Sequence, residues 1–222
     1  MRAATRASFA RQHLDALLVA SEVRENIRRM YFPRTASMQP EKVIAILNKA
    51  KVRYVLMGTF GINGYRDEAR ATQDVDVLVR SKDHERAVKA IKASFPKLEM
   101  EDFPIVTRFR DPANKKPLID LMKPRHDALL AVFKNSILVG KSHRVPTLEM
   151  ALVSKFAAMV SPFRDDDKKL VDGGDFVNMV KHRAKSINLS KLKKLGEKVY
   201  RGGGAEISKM VADINAGRRI QF

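Results

Sequence analysis

Apolar and polar positions alternate along this chain with two periods, one near 3.6 and one of 2, and the switches between them lay out a mixed α/β order. Residues 8–30 carry Leu14, Leu17 and Leu18 and continue through Ser21 and Arg28 as one helical pattern, which Pro33 ends. Gln39-Pro40-Glu41 opens a second helix running to about Lys49, with Val43, Ile44, Ile46 and Leu47 on its apolar face. Residues 52–57 then read as a strand, 59–65 as a short helix or turn, 67–71 as a polar loop and 74–80 as a second strand. Ser81 is placed to cap a helix over 81–94, with Ala87, Val88, Ala90 and Ile91 inward and Phe95-Pro96 as the stop. Strands near 104–110 and 117–122 follow, joined by the turn Asp111-Pro112-Ala113-Asn114.

From Pro146 onward the pattern is helical. Thr147 is expected to cap an almost wholly apolar, hence buried, helix over 148–160. The next helix aligns Asp172, Asp175, Phe176 and Met179 on one stripe, and two basic amphipathic helices near 188–199 and 204–216 flank Gly202-Gly203-Gly204. The order predicts an α/β (α+β) fold, a mixed sheet covered by helices, and then a helical C-terminal region. No internal repeat interrupts it.

Charges inside the apolar runs are the informative exceptions. Asp74 and Asp76 sit at alternate positions of Thr72-Gln73-Asp74-Val75-Asp76-Val77-Leu78-Val79, so they share one strand face while Val75, Val77 and Val79 fill the other. Like charges this close are costly unless a cation neutralises them. Mg²⁺ suits the pair, because it takes hard oxygen ligands and commonly uses one or two carboxylates plus substrate phosphates. Asp120, alone in Pro117-Leu118-Ile119-Asp120-Leu121-Met122, would complete a three-carboxylate site for one or two ions if the fold brought it alongside.

Two further sites carry buried charge. Lys155 lies on the apolar face of its helix, where it must find an anion, deprotonate or snorkel out along its aliphatic stem. Its anion would be a substrate phosphate or a carboxylate. Asp172 and Asp175 would pair with Lys155 or Arg164, or bind substrate. Arg70, just before the aspartate strand, would meet a triphosphate or a neighbouring acid.

The pattern apolar-Gly-Thr, a gap, Asp-apolar-Asp-apolar and then apolar-Asp-apolar resembles the DNA polymerase β-like nucleotidyltransferase superfamily, and within it the AbiEii-type toxins. Met57-Gly58-Thr59, Arg70-Ala71-Thr72-Gln73-Asp74-Val75-Asp76, Lys155 and the segment 169–175 match that signature in order. The resemblance covers about residues 40–183. The family usually has Gly or Ser where this chain has Thr59, which keeps a hydroxyl for a phosphate oxygen but adds a β-branch.

The resemblance implies an NTP substrate and Mg²⁺ or Mn²⁺ held by Asp74, Asp76 and Asp120, with Asp120 helping to deprotonate the acceptor. It implies phosphate contacts at Gly58 and Thr59, charge compensation from Arg70 and Lys155, and nucleotide contacts at Thr72, Asp172 and Asp175. It divides the chain into an N-terminal helix (1–36), a nucleotidyltransferase core (37–146) and a helical region with a basic tail (147–222). An antitoxin partner is implied if the toxin likeness holds.

Composition narrows the partners. The 222 residues contain no Cys, which removes disulfides, zinc thiolates and cysteine nucleophiles. No apolar run approaches a membrane span. The acid-free start, Met1 to Arg11, has the Arg and Ser content of an organelle transit peptide, but the helical pattern continues through it without a cleavage boundary, so an amphipathic helix and a cytoplasmic protein are expected. Forty-three Lys and Arg against twenty-five acids leave +18, and residues 181–222 alone hold eleven basic groups against three acidic ones. Such an excess points to a polyanion, with RNA as the expected acceptor, and the resemblance to toxin members implies a tRNA end; attraction of triphosphate alone, or solubility, is the plainer account. With four Tyr, eleven Phe and no Trp, no base-stacking platform is evident. A protein hydroxyl remains open as acceptor, as does a non-catalytic nucleic-acid-binding role.

Overall fold

The computed structural model describes residues 3–31 and 38–219. Pro33, expected to end the first helix, lies outside the described residues. The chain forms two compact units, the first from residues 1–64, 68–125 and 137–145, the second from 65–67, 126–136 and 146–222.

The first unit is built on a five-stranded sheet. Helix α1 (Ala3–Tyr31) precedes α2 (Pro40–Lys49), which starts on a proline where a missing N–H costs nothing. Strand β1 (Tyr54–Leu56) leads through α3 (Gly58–Ile62) and a 3₁₀ turn to β2 (Val75–Val79). Helix α4 (His84–Ser94) and strands β3 (Glu99–Asp102), β4 (Val106–Arg110) and β5 (Pro117–Met122) follow. The strand order is β1-β2-β5-β4-β3, with β2 and β5 parallel and every other pair antiparallel. The mixed sheet with helical cover is therefore as the order of elements predicts.

Register divides the sheet into two chemically different faces. Val75 and Val77 stand beside Ile119 and Leu121, which stand beside Phe109 and Thr107, and all six are buried. Helix α4 lies on this side, since His84 Nε2 is 3.3 Å from Thr107 Oγ1, and α4 packs with α2 and β5. The opposite parity places Asp76, Asp120, Arg108 and Glu101 in one row across four strands. One face builds the core and the other carries the chemistry.

Several local expectations change. Ser81 does not cap α4: a single 3₁₀ turn, Ser81–Asp83, intervenes, and buried Asp83 ties it down by accepting from Arg80 Nε at 2.8 Å and from the Arg53 amide at 3.3 Å. Strand β3 was invisible to periodicity because all four of its residues are exposed. Its charges instead bind neighbours, Glu101 to Arg110 and Asp102 to Lys123, and an edge lined with charge resists further strand pairing.

Helix α1 is fixed through a buried pair of histidines. Strands β6 (Ser136–Val139) and β7 (His143–Pro146), a hairpin the pattern did not reveal, bring His143 Nε2 to 3.4 Å from His13 Nε2. Gly64 lies so close to His13 that an added Cβ would sit 2.8 Å from its ring.

The second unit is helical: α5 (Asp127–Lys134), also unforeseen, α6 (Leu148–Met159), α7 (Asp166–Arg183), α8 (Leu189–Gly196) and α9 (Gly203–Asn215). Helix α6 packs against α5, α7 and α8 and buries residues all round its circumference. Thr147 occupies the N-cap position of α6, yet its hydroxyl accepts from Lys191 Nζ at 3.1 Å rather than closing the helix. Helices α8 and α9 meet through glycine, since a Cβ on Gly196 would stand 2.7 Å from Ile207 and 3.0 Å from the Gly203 carbonyl. No described helix is long and apolar enough to cross a membrane.

Candidate active site

Asp76 and Asp120 are register partners on parallel strands, so their side chains leave the sheet side by side. Asp74 lies one residue ahead of β2 and accepts a 2.7 Å hydrogen bond from the Thr72 hydroxyl, which orients one of its oxygens. Both Asp74 and Asp76 are partly exposed, whereas Asp120 is 7% exposed.

Gly58 closes one side of this cluster. Its φ of +55° is a left-handed conformation that side chains disfavour, and an added Cβ would overlap Oδ2 of Asp76 and lie 2.9 Å from its Cγ. The adjoining Met57 amide donates to the Asp76 carbonyl at 2.8 Å. Main chain and carboxylate therefore approach as only glycine permits.

The next residue, Thr59, is joined to Arg70: Nη2 of Arg70 donates to the Thr59 hydroxyl at 2.7 Å. Asn63 fixes this arrangement from below. Its Nδ2 donates to the Arg70 carbonyl at 3.0 Å, and its Oδ1 accepts from the Arg70 amide at 3.2 Å. Asn63 is buried, and this two-way bracket was not foreseen, because a polar residue after a short helix has no distinctive local pattern.

Arg108 is the largest addition to the expected set. Standing opposite Asp120 in the β4–β5 register, it donates from Nε to Oδ1 at 2.8 Å and from Nη2 to Oδ2 at 2.6 Å. This two-pronged contact matches the planar fork of a guanidinium. Hydrogen bonding to Asp120 raises the Arg108 pKa against the effect of burial, and the charges of Asp120, Asp76 and Asp74 add to the rise. All three carboxylates thus act on one cation.

The donor set can be tested against a divalent ion. Asp74 and Asp76 are partly exposed residues whose carboxylates carry oxygens of the hard type Mg²⁺ takes, and two carboxylates with phosphate oxygens make up a normal set. Asp120 differs, because both its oxygens are engaged by Arg108. Among the described residues no three acids or histidines are grouped to hold a metal by themselves. Asp74 and Asp76 thus fit a divalent ion that a substrate would complete, and each Asp120 oxygen keeps one lone pair beside its bond to Arg108.

The second unit assembles the other expected residues. Lys155 Nζ lies 2.7 Å from Oδ1 of Asp172 and 2.7 Å from Oδ2 of Asp175. Arg164 reaches the remaining Asp172 oxygen at 2.9 Å, and Arg66 pairs with Asp175. Three cations share two buried carboxylates, so the lysine on the apolar face has found acids. Arg66, distant in sequence from both aspartates, gave no prior signal.

No protein-family model matches the chain, and no curated protein matches it. Among solved structures it is similar to an antigenic nucleotidyltransferase-like protein from Paracoccidioides brasiliensis, at 15% identity over 76% of this chain and 89% of that one, with a TM-score of 0.44. It is likewise similar to ANT(2'')-Ia in complex with adenylyl-2''-tobramycin, at 11% identity over 76% and 94%, TM-score 0.46. The Megavirus polyadenylate synthase matches at 12% identity over 85% of this chain and 46% of that chain, TM-score 0.47. Likenesses this distant assign neither family nor activity.

Proposed function

We propose that this protein is a nucleotidyltransferase of the DNA polymerase β-like superfamily, moving an NMP from an NTP to a hydroxyl acceptor with pyrophosphate leaving. The observation that carries the reading is the placement of Asp76 and Asp120 as partners on parallel strands, with Asp74 at the mouth of the same strand and Gly58 against Asp76. A cluster of acids on one face of the sheet draws positive charge beyond that of Arg108, which is bonded to Asp120, and a metal-bound triphosphate supplies it.

Asp74 and Asp76 would hold Mg²⁺ or Mn²⁺, which when bound would offset charge on the α-phosphate and its leaving group. The chain's own groups do the rest. Thr72 fixes the Asp74 carboxylate. The Thr59 hydroxyl already accepts from Arg70, so its proton is left for a phosphate oxygen, and Gly58 leaves the main chain open beside it. Arg70, placed by Asn63, offsets triphosphate charge. Asp120 receives the proton as the acceptor oxygen bonds to the α-phosphorus and the bond to the bridging oxygen breaks. Lys155, with Asp172 and Asp175, is assigned a nucleotide-binding role through the net positive charge of its cluster.

RNA is the acceptor favoured by charge, since Lys193, Lys194, Lys198 and Arg201 are all exposed on α8 and the turn after it, and the resemblance to AbiEii-type toxins puts a tRNA end foremost. An AbiEii-like toxin held by an antitoxin in the cytoplasm accords with that acceptor. The same exposed cations favour a second reading, a nucleic-acid-binding protein without catalysis. Incubation with each α-³²P-labelled NTP, Mg²⁺ and total tRNA separates the two. Label on RNA with the wild type but not with Asp74→Ala/Asp76→Ala is the expected result, and label on protein moves the acceptor to a side-chain hydroxyl. Salt-sensitive RNA binding without any label selects the second reading.

A further inference from the structure

The end of β2 remote from Asp74 is strongly basic. Beyond Asp76 the strand runs to Val79, and Arg80 follows about 13 Å along it from Asp76. Buried Asp83 gathers cations there: it accepts from Arg80 Nε at 2.8 Å and from Arg86 Nη2, and the Arg53 amide donates to it at 3.3 Å. Arg86 also reaches the Lys51 carbonyl at 3.2 Å, and the Arg80 amide donates to the Arg53 carbonyl at 3.1 Å. One carboxylate therefore holds two guanidinium groups that stay 35% and 53% exposed. The side chains of Lys51, Arg53 and Lys82 are exposed and make no hydrogen bond or ion pair to the described residues. The acids among these cations are Asp83 and the exposed Glu85. Lys51 is left-handed, with φ of +53°, at the turn that ends α2, where its amide donates to the Asn48 carbonyl at 2.9 Å and the Val52 amide to the Leu47 carbonyl at 3.0 Å. Glycine closes a helix in this way without steric cost, so the turn itself has no use for a lysine.

We propose that this patch on the first unit binds the phosphate backbone of RNA and holds it at a stretch apart from any reacting end. This rests on reading the excess charge as an RNA interface, whether or not transfer follows. Each guanidinium commits two of its five N–H donors to Asp83 or Lys51, which leaves the rest for phosphate oxygens in a fixed geometry. Lys51, Arg53 and Lys82 add charge around them. Among the described residues between 40 and 92 no large apolar side chain is exposed, so the surface has neither the apolar anchors of a membrane contact nor rings on which bases would stack. Its contacts are therefore to phosphates rather than to bases.

Filter binding of the full chain to total tRNA across a range of KCl concentrations tests this. Lys51→Gly/Arg53→Ala/Lys82→Ala is expected to lower the slope of log K against log salt by about 2–3, from three contacts at roughly 0.7–0.9 each. Glycine relaxes position 51, and the other two side chains are exposed, so the fold should survive the change. Glu85→Lys is expected to steepen the slope by about 1 and to tighten binding, a gain that misfolding does not produce. A wild-type slope in the triple variant overturns the patch and leaves the RNA interface to α8. Wild-type protein that does not bind tRNA overturns both. If the triple variant keeps its tRNA slope but loses binding to phosphatidylserine vesicles, the patch is a membrane contact and the proposal falls. Should circular dichroism show the triple variant unfolded, Glu85→Lys carries the test, and a wild-type slope there overturns the proposal.

Discussion

The backbone of Gly58 passes so close to the Asp76 carboxylate that a single methyl group at position 58 would overlap Oδ2. The same residue is in a left-handed conformation. Gly58→Ala therefore carries two penalties, and a loss of about 1–3 kcal/mol is expected for the backbone alone. Urea denaturation should show that loss, and Mn²⁺ binding should weaken with it because Asp76 must move. A variant with wild-type stability and wild-type Mn²⁺ affinity would show that this close approach matters to neither.

Lys155 holds two carboxylates that are each almost fully buried. Lys155→Met leaves them to Arg164 and Arg66, and a destabilisation of roughly 3 kcal/mol is expected from the uncompensated charge. Adding Asp172→Asn and Asp175→Asn should restore at least half of it. If Lys155→Met instead keeps the wild-type unfolding midpoint while nucleotide binding collapses, the lysine serves substrate rather than structure.

His13 and His143 predict acid sensitivity at the N-terminal helix. Burial, with a smaller electrostatic contribution from the neighbouring His143 ring, lowers the His13 pKa to about 3, and burial lowers that of His143 to about 4. Both are neutral in the folded protein, whereas an unfolded histidine takes a proton below pH ~6.5. Their contribution to stability is complete above that pH and is lost as pH falls toward 3–4, by at most ~1.4 kcal/mol per pH unit for each. Thermal unfolding between pH 7 and 4.5 should show the decline, and His13→Leu/His143→Leu should flatten it. An equal decline in the double variant would place the sensitivity elsewhere.

The basic face of α8 predicts a salt signature. If Lys194, Lys198 and Arg201 contact phosphates, Lys194→Ala/Lys198→Ala/Arg201→Ala should lower the slope of log K against log salt by about 2 on single-stranded RNA. Filter binding across a range of KCl concentrations measures it. An unchanged slope moves the RNA surface off this helix.

Sequence alone determined what short-range periodicity determines. The alternation around Asp74 and Asp76 put both on one side of a strand, and the short run around Asp120 marked a lone charge among buried residues. The helices at Pro40–Lys49, Leu148–Met159 and Asp166–Arg183 were legible for the same reason: each turn repeats a pattern within four residues. Lys155 and Asp172 were recognisable as charges that needed partners.

Tertiary structure decided who those partners are. Nothing local states that residues 75–79 lie parallel to 117–122, because that neighbourhood follows from burying Val75, Val77, Ile119 and Leu121 against one another. Only that register sets Asp76 beside Asp120, and only the next one sets Arg108 on Asp120. Strand β3 had no apolar period to betray it, since an exposed edge strand is held by its neighbour's backbone and by ion pairs. Periodicity reports which side of an element faces inward; which charges then meet is settled by long-range packing.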